Sequence, residues 1–458
     1  MPSQSWNRRE FNRSALLAAL SSTLGACGDG EAVDEPRPTP KGVVLITADD
    51  LGWRDLSAYG LANVATPNLD RLVNEGIAFS KAFDVVSSCS SSRATIVTGQ
   101  YPHTHGVTGL VHRHPELSLP CDHPTIVRAM GEAGFETAVQ GKWHLSADAW
   151  PEDFGYGAYL QTDIDQRIRS VVMARAFLEN FTRGPFYLEL NYMQTHRDLF
   201  GDFVQAEGYE VSTDDAAPPE WWGLPDWPEI REEVAGYLSH LRWMDALVGE
   251  VLDELDTRGL ADDTLVVFIS DNGPAFPGCK TTVYDRGLGT PLMFRWPAVL
   301  EPRWSDELVS SVDVAPTVLD LLGLPAMPSV QGRSLAPHLL QDPSWVPATH
   351  IFAEMERHSG DPKPARSVRT HGYKYIRNLT DEPWGSGGGD GAWKDALALE
   401  PDQFFDDPRP PEELFDLEAD PTEKVNAIDD PALADVLDEL RAALDAHLVA
   451  TDDFRAGE

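Results

Sequence analysis

Two pairs of oxygen-bearing side chains lie at the ends of two apolar runs in the sequence. The four residues are Asp49, Asp50, Asp271 and Asn272. If the runs at 43–46 and 265–269 are parallel strands, their carboxyl ends face one edge of a sheet, where ligands collect. Either pair alone is more typical of a turn or helix cap. Both pairs together predict one site for a hard cation, Ca²⁺ or Mg²⁺, which prefers oxygen ligands.

A cysteine in a serine-rich turn precedes a segment compatible with a helix. Cys89 follows Ser87 and Ser88, and Arg93 comes one helical turn later. Backbone N–H groups and the dipole at a helix N-terminus favour an anion, and Arg93 adds a positive charge. Without Arg93 and the strand-end acids, a small buried cysteine would be the simpler interpretation. With them, the pattern indicates a nucleophile that faces an anionic ester.

The elements that must position these residues alternate along the chain. Apolar runs without alternation are typical of strands buried on both faces; they lie at 43–46, 186–190, 265–269 and 292–294. Helical patterns begin at Thr66, followed by a proline at the first helical position, and at Ile230, where apolar residues recur every three to four positions. This order predicts an α/β fold with a doubly wound mixed sheet flanked by helices.

The sequence divides into four predicted regions. They are a signal segment at 1–27, a flexible linker at 28–40, a catalytic domain at 41–345 and a smaller C-terminal α+β subdomain at 346–458. Within the last region we expect a strand hairpin at 366–378 and an amphipathic helix at 431–448, with leucines 433, 437, 440, 444 and 448 in the core. Two irregular stretches, 200–227 and 380–410, are typical either of binding-site rims or of surface insertions.

The first residues have the layout of an export signal. Arg8 and Arg9 precede a short apolar run at 15–24 that is too short to span a bilayer. The arginine pair resembles a twin-arginine signal, and the residues before Cys27 resemble a lipobox in which that cysteine is lipidated. We therefore expect an exported protein, periplasmic or anchored to a membrane only through an N-terminal lipid.

Composition excludes several classes of function. The chain has 458 residues, and 36 Lys and Arg against 74 Asp and Glu give a net charge of −38. A field of that sign repels nucleic acid, so no nucleic-acid partner is expected. Four cysteines are too few for a secreted disulfide framework. Whether Cys121 and Cys279 are paired stays open, as does the oligomeric state.

The segment CSSSRATIVTG from residue 89 resembles the signature of the type I sulfatases, hydrolases of the alkaline phosphatase superfamily. Five further blocks resemble that family in the same order: ITADDLGW, TGQYPHTHGV, GFETAVQGKWHL, ISDNG with the segment after it, and ELFDLEADPTEKVN. The resemblance spans roughly residues 41 to 450. It implies that a maturation enzyme oxidises Cys89 to formylglycine, and that the substrate is a sulfated carbohydrate.

The resemblance also implies roles for individual residues. One Ca²⁺ would be held by Asp49, Asp50, Asp271, Asn272 and residue 89. The hydrated aldehyde at residue 89 would attack sulfur and later release sulfate. Arg93 and Lys142 would orient that group, and His144 would take the proton that triggers release. His196 and Lys280 would contact the sulfate and assist the leaving group. Of the other histidines, His103 and His105 are interpreted as structural, and His112 has no partner that the sequence can place.

Within the family, the chain looks closest to the heparan N-sulfatases, the sulfamidases that act on N-sulfoglucosamine. The strings SSCSSSRA, DNGPAFPGCKTTVYD and YKYIRNL carry this resemblance. Lys280 stands where arginine is expected in that branch, so N-sulfate and O-sulfate substrates both stay open. The acidic surface favours a terminal sugar taken one at a time.

Two alternatives belong to other functional classes. Maturation enzymes usually read proline or alanine two residues after the cysteine, where this chain has Ser91. An unconverted Cys89 would leave an inactive, sulfatase-like glycan-binding protein. A metal-dependent phosphatase or phosphodiesterase of the same superfamily would need additional His and Asp ligands for two zinc ions, which the sequence does not place.

Overall fold

The computed structural model describes residues 38–160, 170–180, 184–198, 201–384 and 408–458. The predicted signal, its Cys27 and nearly all of the linker lie outside the described residues, as does most of the irregular stretch at 380–410. Contacts group Thr39–Glu458 into one compact unit. Across the described ranges, we find no helix with the length and apolar character needed to cross a membrane.

The strands of the described residues, in chain order, are β1 Gly42–Ala48, β2 Ile77–Phe79, β3 Ala82–Phe83, β4 Glu136–Gly141, β5 Ala158–Leu160, β6 Phe186–Tyr192, β7 Thr264–Ser270, β8 Leu292–Arg295, β9 Arg303–Ser305, β10 Val309–Ser310, β11 Ile351–Met355, β12 Ala365–Arg369, β13 Tyr373–Asn378 and β14 Glu412–Asp416. The α-helices of the described residues are α1 Pro67–Glu75, α2 Cys89–Thr98, α3 Pro102–His105, α4 Ile126–Glu132, α5 Ser170–Asn180, α6 Pro228–Thr257, α7 Asp285–Leu288, α8 Val314–Leu321, α9 Ala336–Leu339 and α10 Ala434–Ala450.

The central layer is a mixed sheet with the strand order β5-β4-β6-β1-β7-β8-β2-β9 in the described chain. Strand β1 runs parallel to both β6 and β7, whereas β8 is antiparallel to β7 and β2. The four apolar runs predicted as strands are confirmed as β1, β6, β7 and β8. The register sets Ala48 opposite both Tyr192 and Ser270, so the three central strands end at the same level.

Both faces of this sheet are covered by helices. Val44 and Ile46 of β1 pack into a cluster with α1, α5 and α6, while Val43 and Leu45 pack into a second cluster with α2, α4, α8 and α9. Because successive side chains of a strand point to opposite faces, two covered faces require an apolar run without alternation. The predicted doubly wound α/β fold is confirmed.

A second sheet follows, with antiparallel strands in the order β11-β12-β13-β14. One face packs on residues of the N-terminal half such as Trp53 and Phe83. The other face packs on α10, where Leu440 and Leu444 are buried against Tyr375. The predicted hairpin and terminal helix are confirmed, and the boundary at 345/346 stays a prediction.

Candidate active site

The ends of β1 and β7 bring the two predicted pairs of polar residues together. The Asp50 backbone N–H donates to Asp271 Oδ1 at 3.1 Å, and Asn272 Nδ2 donates to Asp50 Oδ1 at 2.7 Å. All four side chains, including that of Asp49, are fully buried. Asp50 adopts a left-handed backbone with φ of 63°, which is uncommon outside glycine but tolerated best by Asp and Asn. The prediction that both pairs share one edge of the sheet is confirmed in position.

Cys89 is the first residue of α2, with Ser88 as the residue that precedes the helix. Its Sγ lies 3.6 Å from Asp49 Oδ1 and 3.8 Å from Asp50 Oδ1. Burial raises the pKa of the Cys89 thiol to about 12, although Lys142 and Lys280 act in the opposite direction. The thiol is therefore protonated at neutral pH, and a protonated thiol is a poor nucleophile.

Three buried cations pair with the three carboxylates. Arg93 Nε donates to Asp271 Oδ2 at 2.8 Å, and Lys142 Nζ donates to both oxygens of Asp49 at 2.9 and 2.7 Å. Lys280 Nζ donates to both oxygens of Asp50 at 2.6 and 2.8 Å, so the six side chains form one network. Buried charges need such partners, since removing one leaves an uncompensated ion. The sequence predicted that these cations surround residue 89, but it did not predict their pairing with the acids.

The network shifts the pKa values of its carboxylates in opposite directions. Burial would raise the pKa of Asp49, but Lys142, His196 and Arg93 hold it well below its usual range. Burial and the charge of Asp49 raise the pKa of Asp271 to about 7, against the effect of Arg93. Groups with such displaced pKa values, convergent in one cluster, are typical of functional sites.

Two of the predicted histidines lie beside this network. His196 Nε2 is 3.8 Å from Asp50 Oδ2, and its Nδ1 lies 2.6 Å from the Arg197 carbonyl. His144 Nε2 lies 2.8 Å from Nδ1 of His112. Burial and the charge of Lys142 hold the pKa of His144 well below its usual range. His144 is therefore neutral at pH 7 and able to accept a proton.

Sequence reasoning missed two histidines at the site. His112 has the direct contact with His144 just described. His358, in the connection between β11 and β12, places Nδ1 3.0 Å from Ser88 Oγ, and its carbonyl accepts the backbone N–H of Leu110 at 3.0 Å. Burial and the nearby Lys280 and Lys142 hold the pKa of His358 well below its usual range. No local sequence pattern predicts that either histidine lies at the site, because both contacts join segments that are distant in sequence.

The residues at the strand ends fit a divalent cation. Ligand atoms of Asp49, Asp50, Cys89 and Asp271 all lie within 4.8 Å of one another. The buried Asn272 Oδ1 has no hydrogen-bond partner, which leaves an oxygen available as a ligand. A set of carboxylate and amide oxygens suits Ca²⁺ or Mg²⁺. In the described ranges, His196 is the one histidine that joins a metal-sized group with these acids, so this edge lacks the histidine-rich set of a two-zinc site.

Sequence comparison places the chain among known hydrolases. The model of the family described as Sulfatase matches residues 41–324, and a model described as N-sulphoglucosamine sulphohydrolase, C-terminal, matches residues 279–385. Human N-sulphoglucosamine sulphohydrolase is 31% identical, over 93% of this chain and 91% of the human protein. An ulvan-active sulfatase of Formosa agariphila is 28% identical, over 93% of this chain and 77% of that protein.

Solved structures share the fold at lower sequence identity. One was determined in complex with its substrate D-glucosamine-2-N,6-O-disulfate. It superposes with a TM-score of 0.70 at 20% identity and covers 92% of this chain and 100% of that chain. The mixed sheet with flanking helices and the small antiparallel C-terminal sheet are therefore an established architecture.

Proposed function

Because the chain belongs to the sulfatase family, we propose that it releases inorganic sulfate from a sulfated sugar, with the reaction centred on residue 89. One observation carries this proposal: Cys89 Sγ lies within 4 Å of two buried carboxylates that are themselves bonded to lysines. N-sulfated glucosamine is the favoured substrate, since the human relative named for that sugar aligns over nearly its whole length.

Cys89 as a thiol does not suit the reaction, because its pKa near 12 leaves it protonated. Conversion by a maturation enzyme to formylglycine would supply a hydrated aldehyde, which can accept the sulfo group from the sugar and then release it as sulfate. The buried position at the start of α2 would then place this group against the carboxylates and cations already described.

The same edge would hold one Ca²⁺ through Asp49, Asp50, Asp271 and Asn272, together with residue 89. Bound there, the ion would supply a fixed positive charge and Lewis acidity toward an anionic oxygen. The orphaned Asn272 oxygen and the convergence of carboxylates support this assignment.

The chain's own cations would bind and orient the sulfo group. Arg93, Lys142 and Lys280 surround residue 89 with positive charge from α2, from the turn after β4 and from the loop after β7. Cations fixed in a dry site interact with an anion far more strongly than cations in water. The site therefore favours the charge that develops when sulfate leaves.

Two histidines would move protons. His196, partly buried beside Asp50, would in its protonated form donate the Nε2 proton to the departing amine or alcohol of the sugar. His144, neutral because burial and Lys142 hold its pKa low, would accept the proton from residue 89 that accompanies sulfate release. His358 would lie near the sugar, because its Nδ1 is 3.0 Å from Oγ of Ser88, the residue that precedes Cys89.

We also propose export through the N-terminal segment, with Cys27 as the lipid anchor and Arg8 and Arg9 as the export signal. The support is the order of charged, apolar and small residues in the sequence.

The boundary of the proposed C-terminal subdomain at 346 is supported by the second sheet, which begins at Ile351.

The test has two measurements: the mass of the peptide that contains residue 89, and the release of sulfate. We expect peptide mass spectrometry to find formylglycine at residue 89 and turnover to disappear in Cys89→Ala. Cys121→Ala is the matched control, because Cys121 is an exposed, unpaired cysteine and its loss should leave turnover unchanged. The substrates compared are N-sulfated and O-sulfated glucosamine monosaccharides.

Each alternative predicts a different result. Unmodified cysteine at residue 89, together with saturable binding of the sulfated sugar and no sulfate release, would identify a glycan-binding protein. Faster turnover of phosphate esters than of sulfate esters, restored by Zn²⁺ rather than Ca²⁺ after chelation, would identify a phosphatase. Turnover that persists in Cys89→Ala would contradict the proposed role of residue 89.

A further inference from the structure

A pair of histidines joins two loops beside the candidate active site. His144 follows β4, and His112 lies in the turn that follows α3. The two rings are nearly parallel, with centroids 5.0 Å apart and an interplanar angle of 18°. His112 Nδ1 and His144 Nε2 are 2.8 Å apart, which is the distance of a direct hydrogen bond.

Because of this contact, the two ring nitrogens of His144 have different roles. Nε2 is occupied by the hydrogen bond to His112. Nδ1 is buried and has no hydrogen-bond partner. A neutral imidazole carries one proton and one lone pair, so the nitrogen that bonds the partner decides which nitrogen is left to react.

We propose that His112 is a positioning residue for His144: it accepts a hydrogen bond from His144 Nε2–H and thereby leaves the lone pair on Nδ1 as the proton acceptor of the site. This inference rests on the proposed function for the identity of the proton that is transferred. The tautomer of His144 itself is a property of the folded protein and is measurable without turnover.

The charges around the pair are consistent with two neutral rings. The charged and titratable groups that face His144 or His112 from the neighbouring segments are Asp49, Arg93, Lys142, Arg113, His114, His196 and His358. Burial, followed by nearby cations, lowers the pKa of both rings. At neutral pH, His112 is therefore neutral and has one lone pair, which the proposed hydrogen bond places on Nδ1.

The proposed step moves one proton from residue 89 to Nδ1 of His144. The O–H bond of the donor at residue 89 breaks and an N–H bond forms at His144 Nδ1, while the electron pair of the broken bond stays on the donor oxygen. His144 then carries a positive charge, and its Nε2–H bond to His112 becomes charge-assisted, which strengthens it. His112 thus stabilises the protonated product of the step more than the neutral starting state.

Three variants separate positioning from packing. In His112→Asn, the amide oxygen takes the place of Nδ1 and keeps an acceptor. In His112→Leu, the side chain keeps a similar bulk without an acceptor. His114→Leu is the matched control in the same turn, because His114 contacts Glu116 rather than His144.

For His112→Leu we expect kcat to fall roughly 10- to 100-fold, as for the loss of one hydrogen bond to a charged group. KM should stay within about twofold, because the effect lies in the proton-transfer step. The acidic limb of the kcat–pH profile should move to lower pH, since the protonated form of His144 loses its partner. His112→Asn should recover most of kcat, and His114→Leu should match the unsubstituted protein.

The second measurement is the ¹⁵N spectrum of histidine-labelled protein, with the His144 signals assigned by comparison with His144→Gln. We expect a protonated Nε2 and a bare Nδ1 in the unsubstituted protein and in His112→Asn, and a mixture of tautomers in His112→Leu. An unchanged kcat in His112→Leu, an equal loss in the Asn and Leu variants, or a bare Nε2 in the unsubstituted protein would each overturn the proposal. Absence of sulfate release already in the unsubstituted protein, together with the expected spectrum, would instead count against the proposed function alone.

Discussion

Lys280 is expected to be essential for the stability of the site as well as for its chemistry. Its Nζ lies 2.6 and 2.8 Å from the two carboxylate oxygens of Asp50, and both side chains are almost completely buried. Lys280→Met keeps a linear side chain of similar length but removes the charge. The Asp50 carboxylate would then be buried beside Asp49 and Asp271 without its cation.

The expected loss in the free energy of unfolding is about 3–5 kcal/mol, the cost of breaking a buried ion pair by removing one partner. At a urea dependence of about 3 kcal/mol per molar, this loss lowers the unfolding midpoint by roughly 1 to 1.7 M. The assay is urea unfolding followed by fluorescence in the presence of a chelator, so that no divalent ion substitutes for the lost charge.

Lys41→Met is the matched control. Lys41 Nζ bonds Asp263 at 2.7 Å, but its side chain is 72% exposed, and an exposed pair contributes about 1 kcal/mol or less. Lys280→Met combined with Asp50→Asn should recover part of the loss, because the uncompensated charge is gone. Equal midpoints for the two lysine variants would refute the view that buried charge pairing holds the site together.

Two further predictions concern activity and pH. Arg93→Ala and Lys142→Ala should each lower kcat/KM by more than the tenfold that corresponds to about 1.4 kcal/mol, because each removes a buried cation beside residue 89; a near-normal value in either variant would contradict its role. Burial raises the pKa of Asp55 to about 6, although hydrogen bonds from Tyr237 and two tryptophans act in the opposite direction. Relative to an unfolded pKa near 3.8, the stability that Asp55 contributes is complete below pH 4 and is lost as the pH rises through 6. As the pH rises from 4 to 7, the free energy of unfolding of Asp55→Asn should therefore increase relative to that of the unsubstituted protein by up to about 3 kcal/mol. Urea unfolding at each pH measures this difference. A difference that does not change with pH would contradict the role of Asp55.

The sequence was sufficient for features that are set by local pattern. Continuous apolar runs predicted β1, β6, β7 and β8, because a strand covered on both faces has no polar side. The rule that ligands collect at the carboxyl ends of parallel strands then predicted that Asp50 and Asp271 meet. The structure adds the reason: β1 and β7 are direct neighbours in register.

The rest of the site depends on contacts that no local pattern encodes. The pairing of Lys142 with Asp49 and of Lys280 with Asp50 joins residues 93 and 230 positions apart. His358 reaches Ser88 across 270 positions. The lysine contacts follow from the strand order of the central sheet, and the His358 contact follows from the packing of the second sheet. The identity of a lysine or histidine alone does not reveal which buried group will face it.

The distribution of charge reconciles an acidic protein with an anionic substrate. The whole chain carries −38, yet Asp49, Asp50 and Asp271 are each matched by a buried cation. At physiological ionic strength, exposed charges are screened beyond about 8 Å, whereas buried charges act through a lower dielectric and are screened much less. A single sulfo group beside residue 89 would therefore meet the buried cations, while further anionic groups of a longer chain would meet the acidic surface. For this reason we expect a short sulfated sugar to bind better than a long polyanionic chain.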